Sequence, residues 1–382
     1  MANIAQKIIE FRRHIHQYPE LSNQEFKTTD YIGKVLHSLK ISSKRITKTG
    51  ITGTLHSGTG NKCIALRADI DALPVHEKSA IPKQYQSKNK GIMHACGHDA
   101  NTAIVLGAAL LLSQQKGKLN GAVKFIFQPN EETSGGAKQL VSAGVLNNPK
   151  VNIITGIHVT PELESGVIGL KYGELLAAVD KFEIELYGGG GHSAYPHRGK
   201  DTIYVASQVI QSLQAVVSRE LNPVEPVVIS IGQINGGTAF NILADKVVMI
   251  GTVRTLNENI RKQVQQLMKK HIANIAKTYN LQFRFKYSYE GYPVYNNKSV
   301  IDLCYTAAKK ITRIVMLDKP TMGGEDFSEY LRHVPGCFIY LGIRKKGMPV
   351  YPWHHPEFVV DESALHTGSE VLAELVTGYL TA

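Results

Sequence analysis

The chain has 382 residues, 43% of them hydrophobic and 20% charged, which supplies ample core and excludes a mainly disordered chain. At roughly 150 residues per domain it predicts two to three domains, or one large domain carrying an insertion. The formal charge of +11 is spread along the chain apart from one short basic run at 344–346, which reads as solvated surface and argues against a nucleic-acid partner.

The first residues mix Lys7, Glu10, Arg12, Arg13 and His14 among apolar ones. They form no signal-peptide core, so a cytoplasmic location is expected. No run of about 18 apolar residues predicts a membrane span. Residues 10–39 have the spacing of an amphipathic helix, broken at Tyr18-Pro19. Short apolar runs at 52–55, 63–66, 123–127 and 151–157 read as strands, the last ending at His158. Residues 102–112 are apolar nearly all round and predict a buried helix. Strands alternating with helices imply an α/β sheet covered on both faces.

From residue 181 the pattern changes. Strands are expected at 181–187, 227–234, 245–255 and 281–289, with helices at 201–220 and 258–279. That order is β-α-β-β-α-β, a ferredoxin-like unit. It predicts an inserted domain at 178–289 within a discontinuous α/β domain formed by 1–177 and 290–382. The latter resumes with a helix at 299–314 and a strand at 337–341.

Four segments at expected strand ends or before the buried helix carry reactive side chains: 67–74, 94–99, 127–132 and 156–158. Strand ends are where open α/β sheets build sites. Cys96 and His98 offer a thiol and an imidazole two residues apart, just before the helix, whose N-terminus favours thiolate. Glu132 and His158 can complete a mixed N, O and S ligand set. Glu131 sits beside Glu132, and adjacent side chains at a strand end point in different directions, so one can ligate while the other serves as general base. Any one of these has a bland reading: an inert buried thiol, a surface His, a solvated acidic pair. Together they argue for a metal or catalytic centre. The glycine run at 188–191 lacks the Lys-Ser/Thr of a phosphate loop and presents His192 instead. Near the C-terminus, His354 or His355 can return to the same crevice, and Gly323 to Phe327 forms a further turn with acidic residues. Four cysteines (Cys63, Cys96, Cys304, Cys337) are too few for a disulfide framework and read as reduced thiols.

In this order the chain resembles the metal-dependent amidohydrolases of the M20 peptidase class, in the N-acyl-amino-acid and auxin-conjugate hydrolase branch. The matching segments are RADIDALP (67–74), MHACGHDA (93–100), FQPNEE (127–132), GIHVTP (156–161), GGGGHSAYPHRG (188–199), GGTAFNILAD (236–245), GTVRT (251–255), GGEDFS (323–328) and HHPEF (354–358). The resemblance implies a metallopeptidase-type catalytic domain with a lid and dimerisation domain inserted, and hence a homodimer. It implies that Cys96, His98, Glu132, His158 and His354 bind two divalent ions, of manganese, zinc, nickel or cobalt. It makes Glu131 the base and proton donor, and Asp69 the acid that orients the metal site. It gives His192 the oxyanion, and Asn241 and Arg254 the substrate carboxylate. Arg67 stands where related branches carry a metal-binding His, and is not a ligand. Asn101 replaces a common His, Asn130 an Ala, and residues 241–245 vary the usual lid segment.

The activity implied is hydrolysis of the amide of a small N-acyl amino acid by metal-activated water. N-acetyl-diaminopimelate is an alternative substrate on the same fold. A hydrolase using Cys96 as nucleophile and a non-catalytic binding protein are the remaining alternatives.

Overall fold

The computed structural model describes residues 2–347 and 349–381. In chain order it begins with α1 (Ala2–Gln17), α2 (Phe26–Ser38), β1 (Ser42–Arg45), β2 (Ile51–Ser57), β3 (Cys63–Asp69), α3 (His98–Gln114), β4 (Gly121–Gln128), α4 (Gly136–Ser142), β5 (Ile153–Glu164), β6 (Ile168–Leu170) and β7 (Gly173–Leu176). Then come β8 (Ala178–Tyr187), β9 (Gly191–His192), α5 (Thr202–Ala215), β10 (Val227–Gly236), β11 (Ile242–Leu243), β12 (Lys246–Thr255), α6 (Glu258–Thr278) and β13 (Gln282–Gly291). The chain closes with β14 (Val294–Asn296), α7 (Lys298–Lys309), β15 (Ile314–Met316), α8 (Ser328–Leu331), β16 (Gly336–Arg344) and α9 (Ala364–Thr381). Two compact units result. One is Met1–Leu175, Val294–Lys319 and Asp326–Ala382; the other is Leu176–Pro293 and Pro320–Glu325. Among the described residues no helix is long and apolar enough to cross a membrane.

The first unit is built on an eight-stranded mixed sheet in the order β1-β2-β4-β3-β5-β16-β6-β15. Its middle strands β4, β3, β5 and β16 run parallel. Every residue of β3 and β4 is buried, as expected where both faces are covered and no polar face is needed. The helix α3 is buried on almost all sides, against α1 and α9. It also extends further than the apolar run suggested, back to His98.

A strand and a helix end elsewhere than the sequence predicts. The strand expected to end at His158 runs on to Glu164, because β16 pairs with it in register through Tyr340↔His158 and Gly342↔Thr160. His158 therefore sits inside a strand. The helix expected over 299–314 stops at Lys309, and Ile314 to Met316 pair with β6 instead. The β-branched pair Ile314-Val315 favours that outcome.

The second unit has a four-stranded sheet in the order β10-β12-β8-β13, antiparallel throughout. With α5 and α6 this is the split-βαβ arrangement. Its own apolar core joins Ile184, Leu186, Val209, Met249, Met268 and Ile272. Both helices start at capped positions: the Asp201 side chain accepts from Tyr204 N, and that of Asn257 from Asn259 N and Ile260 N.

Candidate functional site

The parallel strands of the first unit deliver their loops to one end of the sheet. Asp69 is the last residue of β3, and Glu131 and Glu132 follow β4 closely. Cys96 and His98 flank Gly97, which caps α3 at φ +93. A side chain at Gly97 would run into Val159, so glycine is needed both for the left-handed turn and for the close approach. His354 lies between β16 and α9, with its backbone at φ +67. Asn130 stands at φ +58, a conformation that Asn tolerates far better than Ala does, and its N–H donates to Glu25 Oε1 at 2.9 Å.

These loops bring six of the sequence-derived candidates together. Ligand atoms of Cys96, His98 and His158 lie within 4.8 Å of one another, as do those of Cys96, Glu132 and His354, and those of His98, Glu131 and Glu132. Cys96 Sγ is 3.6 Å from His158 Nε2. Glu132 Oε1 is 3.8 Å from His98 Nε2, and Glu132 Oε2 is 3.5 Å from His354 Nε2. His355 turns away: its ring stacks on Tyr351 and its Nδ1 accepts the Glu357 N–H.

The far side of each buried ring is fixed. His98 Nδ1 donates to the Asp71 carbonyl at 2.9 Å, and His158 Nδ1 to the Val159 carbonyl at 2.8 Å. Each Nε2 is therefore the ring atom turned to the cluster, and it offers a lone pair when the ring is neutral. His98 Nε2 and Glu132 Oε1 are buried without a hydrogen-bond partner. A thiol, three imidazoles and carboxylates turned toward one another form the mixed S, N and O donor set of a cation site, where a bound dication would displace the protons they otherwise hold. The residues present thus fit divalent metal.

Several of these groups hold protons that a bound cation would displace. Burial pulls the His98 pKa down, but Asp69 and Cys96 overcome it and push it well up. Burial raises Glu132 to about 7 and lowers His158 to about 4. Burial also pushes the Cys96 thiol well up. This corrects the expectation that the helix N-terminus would favour thiolate: without a cation, desolvation wins over the dipole. A bound dication is what would deprotonate this thiol.

Behind the cluster lies a buried ionic layer. Asp69 Oδ2 is 3.8 Å from His98 Nε2 and accepts from Arg67 Nη1 at 2.8 Å. Asn101 Nδ2 donates to Asp69 Oδ1 at 2.8 Å, while its Oδ1 accepts the Val159 N–H at 3.0 Å. Burial would raise Asp69, but His98 and Arg67 bring it down to about 2. Arg67 also reaches Gln128 Oε1 at 2.9 Å and Asp326 Oδ1 at 3.1 Å. The acidic turn at 323–328 thus touches this layer through Asp326. A second chain runs from Asp99, next to His98. Asp99 Oδ2 accepts from Arg12 Nε and lies against His16 Nδ1, each at 2.8 Å. Arg12 continues to Glu362, and His16 to Glu77.

Asp71, Gln128, Arg12 and His16 were given no role from the sequence. One signal was present: Arg12 and His16 follow Ile8 at helical spacing on the buried stripe of α1. Charge on an apolar stripe demands partners.

The other three candidates lie in the second unit. His192 is exposed in β9, which pairs with β11 through Ile242↔His192. Asn241 adjoins it, its carbonyl accepting the Ser193 N–H at 3.1 Å. Arg254 is half-buried in β12, and burial lowers its pKa.

Residues 65–378 match the model of peptidase family M20/M25/M40. The chain belongs to that family and is a hydrolase of amide bonds. It is 41% identical over 375 residues to the N-acetyl-L-cysteine deacetylase of Bacillus subtilis, covering 98% of this chain and 88% of the relative. It is 36% identical over 373 residues to the N-acetyldiaminopimelate deacetylase of Bacillus cytotoxicus, covering 97% of each. Among solved structures it superposes on the Bacillus subtilis YXEP protein, described as a dinuclear metal binding peptidase from the M20 family. There the TM-score is 0.88 at 37% identity, over 100% of this chain and 99% of the other.

Proposed function

We propose that the chain is a metal-dependent amidohydrolase of N-acyl amino acids, with Cys96, His98, Glu132, His158 and His354 holding two divalent ions. The observation that carries this reading is the convergence of Cys96, His98, Glu132, His158 and His354, with His98 Nε2 and Glu132 Oε1 buried and without a hydrogen-bond partner. Bound there, the ions supply Lewis-acid polarisation and lower the pKa of water. The protein's own groups do the rest. Glu131 takes a proton from the attacking water and returns it to the leaving amine. Asp69, pinned by Arg67 and Asn101, holds the charge that fixes the His98 ring. His192 donates to the oxyanion, and Asn241 and Arg254 receive the substrate carboxylate.

The region 178–289 serves as lid and dimerisation domain of a homodimer, and the metal is manganese, zinc, nickel or cobalt. Four cysteines, all unbridged, support a reducing cytoplasm. A Cys96 nucleophile is the poorer reading: burial holds that thiol protonated, and the paired glutamates would have no task.

The test is hydrolysis of a panel by purified protein: N-acetyl, N-benzoyl and long-chain N-acyl amino acids with N-acetyl-diaminopimelate. Each is assayed with manganese, zinc or chelator. Metal-dependent release of amino acid is expected. The preferred acyl group selects between general aminoacylase and diaminopimelate deacetylase. Activity that survives chelation but is abolished by thiol alkylation would overturn the metal reading.

A further inference from the structure

A cavity of about 240 Å³ opens in the first unit, away from the candidate cation site. All of its lining residues belong to that one unit. Its walls are apolar, with Ile81, Pro82, Ile343, Val350 and Val360 among them. Its charged lining is uneven: Arg12, Arg13, Arg344 and Lys345 stand against Asp361 and Glu362.

Two of those cations are already engaged. Arg12 is buried and pairs with Asp99 and Glu362. Arg13 forks onto Glu362, at 2.6 Å from its Nη2, and its guanidinium lies 3.9 Å over the Tyr85 ring. Arg344 and Lys345 are exposed and have no ion-pair partner among the described residues.

We infer that this cavity binds a small amphipathic carboxylate, its apolar body against the aliphatic walls and its anionic head at Arg344 and Lys345. The walls exclude a purely polar ligand, because burying them against polar atoms leaves those atoms unpaired. The free cations select an anion, and a guanidinium matches a carboxylate in a two-pronged contact. The nearby Asp361 works against a multiply charged anion such as a phosphate ester. A monoanion with a short aliphatic or aromatic body is what remains. The site is separate from the candidate cation site, and its existence does not depend on the function proposed above.

The probe is octanoate, titrated calorimetrically into the full-length protein with and without chelator, with octan-1-ol as the neutral match. One saturable site per chain is expected, equally strong after chelation and at least tenfold weaker for the alcohol. It is expected to weaken at least tenfold in Arg344→Glu/Lys345→Glu and in Val350→Trp, which fills the cavity. Hydrolytic activity and thermal midpoint serve as the folding check for both variants. No saturable binding, or binding unchanged in either variant, overturns the site. Binding that disappears with chelator overturns it too, by placing the carboxylate on metal.

Discussion

His98 and His192 belong to motifs of one resemblance, yet their surroundings are opposite. In the first unit the His98 ring is 1% exposed, its Nδ1 held by Asp71, with Asp69 behind it. In the second unit His192 is exposed, and its Nδ1 accepts one local N–H, from Ala194 at 3.1 Å. The first arrangement is set by folding, through buried charges that must find partners for the chain to be stable. The second is a side chain on a short two-stranded turn, with no core depending on it. Substitutions in the buried layer of the first unit should therefore register in stability and metal affinity as well as rate, and those at His192 in rate alone.

The largest expected effect is at Glu131. Glu131→Gln removes the base and should lower kcat by about 10³-fold, with metal content by elemental analysis and thermal midpoint unchanged. A matching loss of metal would assign Glu131 to binding instead. Next is Arg12→Met, which takes the guanidinium from buried Asp99 and leaves it His16 alone, while Glu362 keeps Arg13. Urea unfolding should show a loss of about 3 kcal/mol; a loss below about 1 kcal/mol would show that the buried layer is not what holds the site. His192→Ala should lower kcat by about 10²-fold while urea midpoint and metal affinity stay put. A lowered midpoint there would erase the contrast between the units.

Smaller effects sharpen the comparison. Asn101→Ala frees both Asp69 and the peptide after His158, and should weaken metal binding by about tenfold in a competition titration with a chelating dye. Unchanged affinity would leave Asn101 with a packing role only. The smallest effect is pH-dependent. Burial lowers the His16 pKa, but Asp99 and its other partners raise it above the ordinary value. A raised folded pKa means that His16 contributes full stability below the unfolded value of about 6.5, and loses it as pH rises through the folded value. The stability gap between wild type and His16→Gln should therefore shrink from pH 6 to pH 9. A gap that widens would reverse the sign of the argument.

Much of this was legible in the residues. The strands of the first sheet are continuous apolar runs that end at reactive side chains, so periodicity and chemistry pointed to the same loops. The four strands and two helices of the second sheet carry clear alternation and clear caps. The places that escaped have a common cause: they are settled by partners distant in sequence. His158 continues a strand because β16 pairs with it, from nearly two hundred residues away. The helix after residue 298 ends early because β6 offers Ile314 a ladder. Helix α9 was not read at all, although Leu365, Leu372, Leu375 and Val376 bury its face. The thiol at Cys96 was expected to be acidic because a helix end is visible in sequence, whereas the desolvation that outweighs it is not. The ionic layer behind the cluster was nearly invisible, since Arg12, Asp99 and Glu362 are joined only by the fold.

One backbone angle carries a further consequence. His354 adopts φ +67, which costs a residue with a side chain roughly 1 kcal/mol or more, and its N–H is tied to the Ala95 carbonyl at 2.8 Å. Glycine would occupy that position more easily, but would bring no imidazole. When the ring has nothing to bind, relaxation of the turn is opposed by that backbone bond and its neighbours, such as His355 N–H to the Pro352 carbonyl. The exchange rate of the His354 amide with solvent deuterium is thus a local gauge of site occupancy, slow when the imidazole is engaged and faster when it is not.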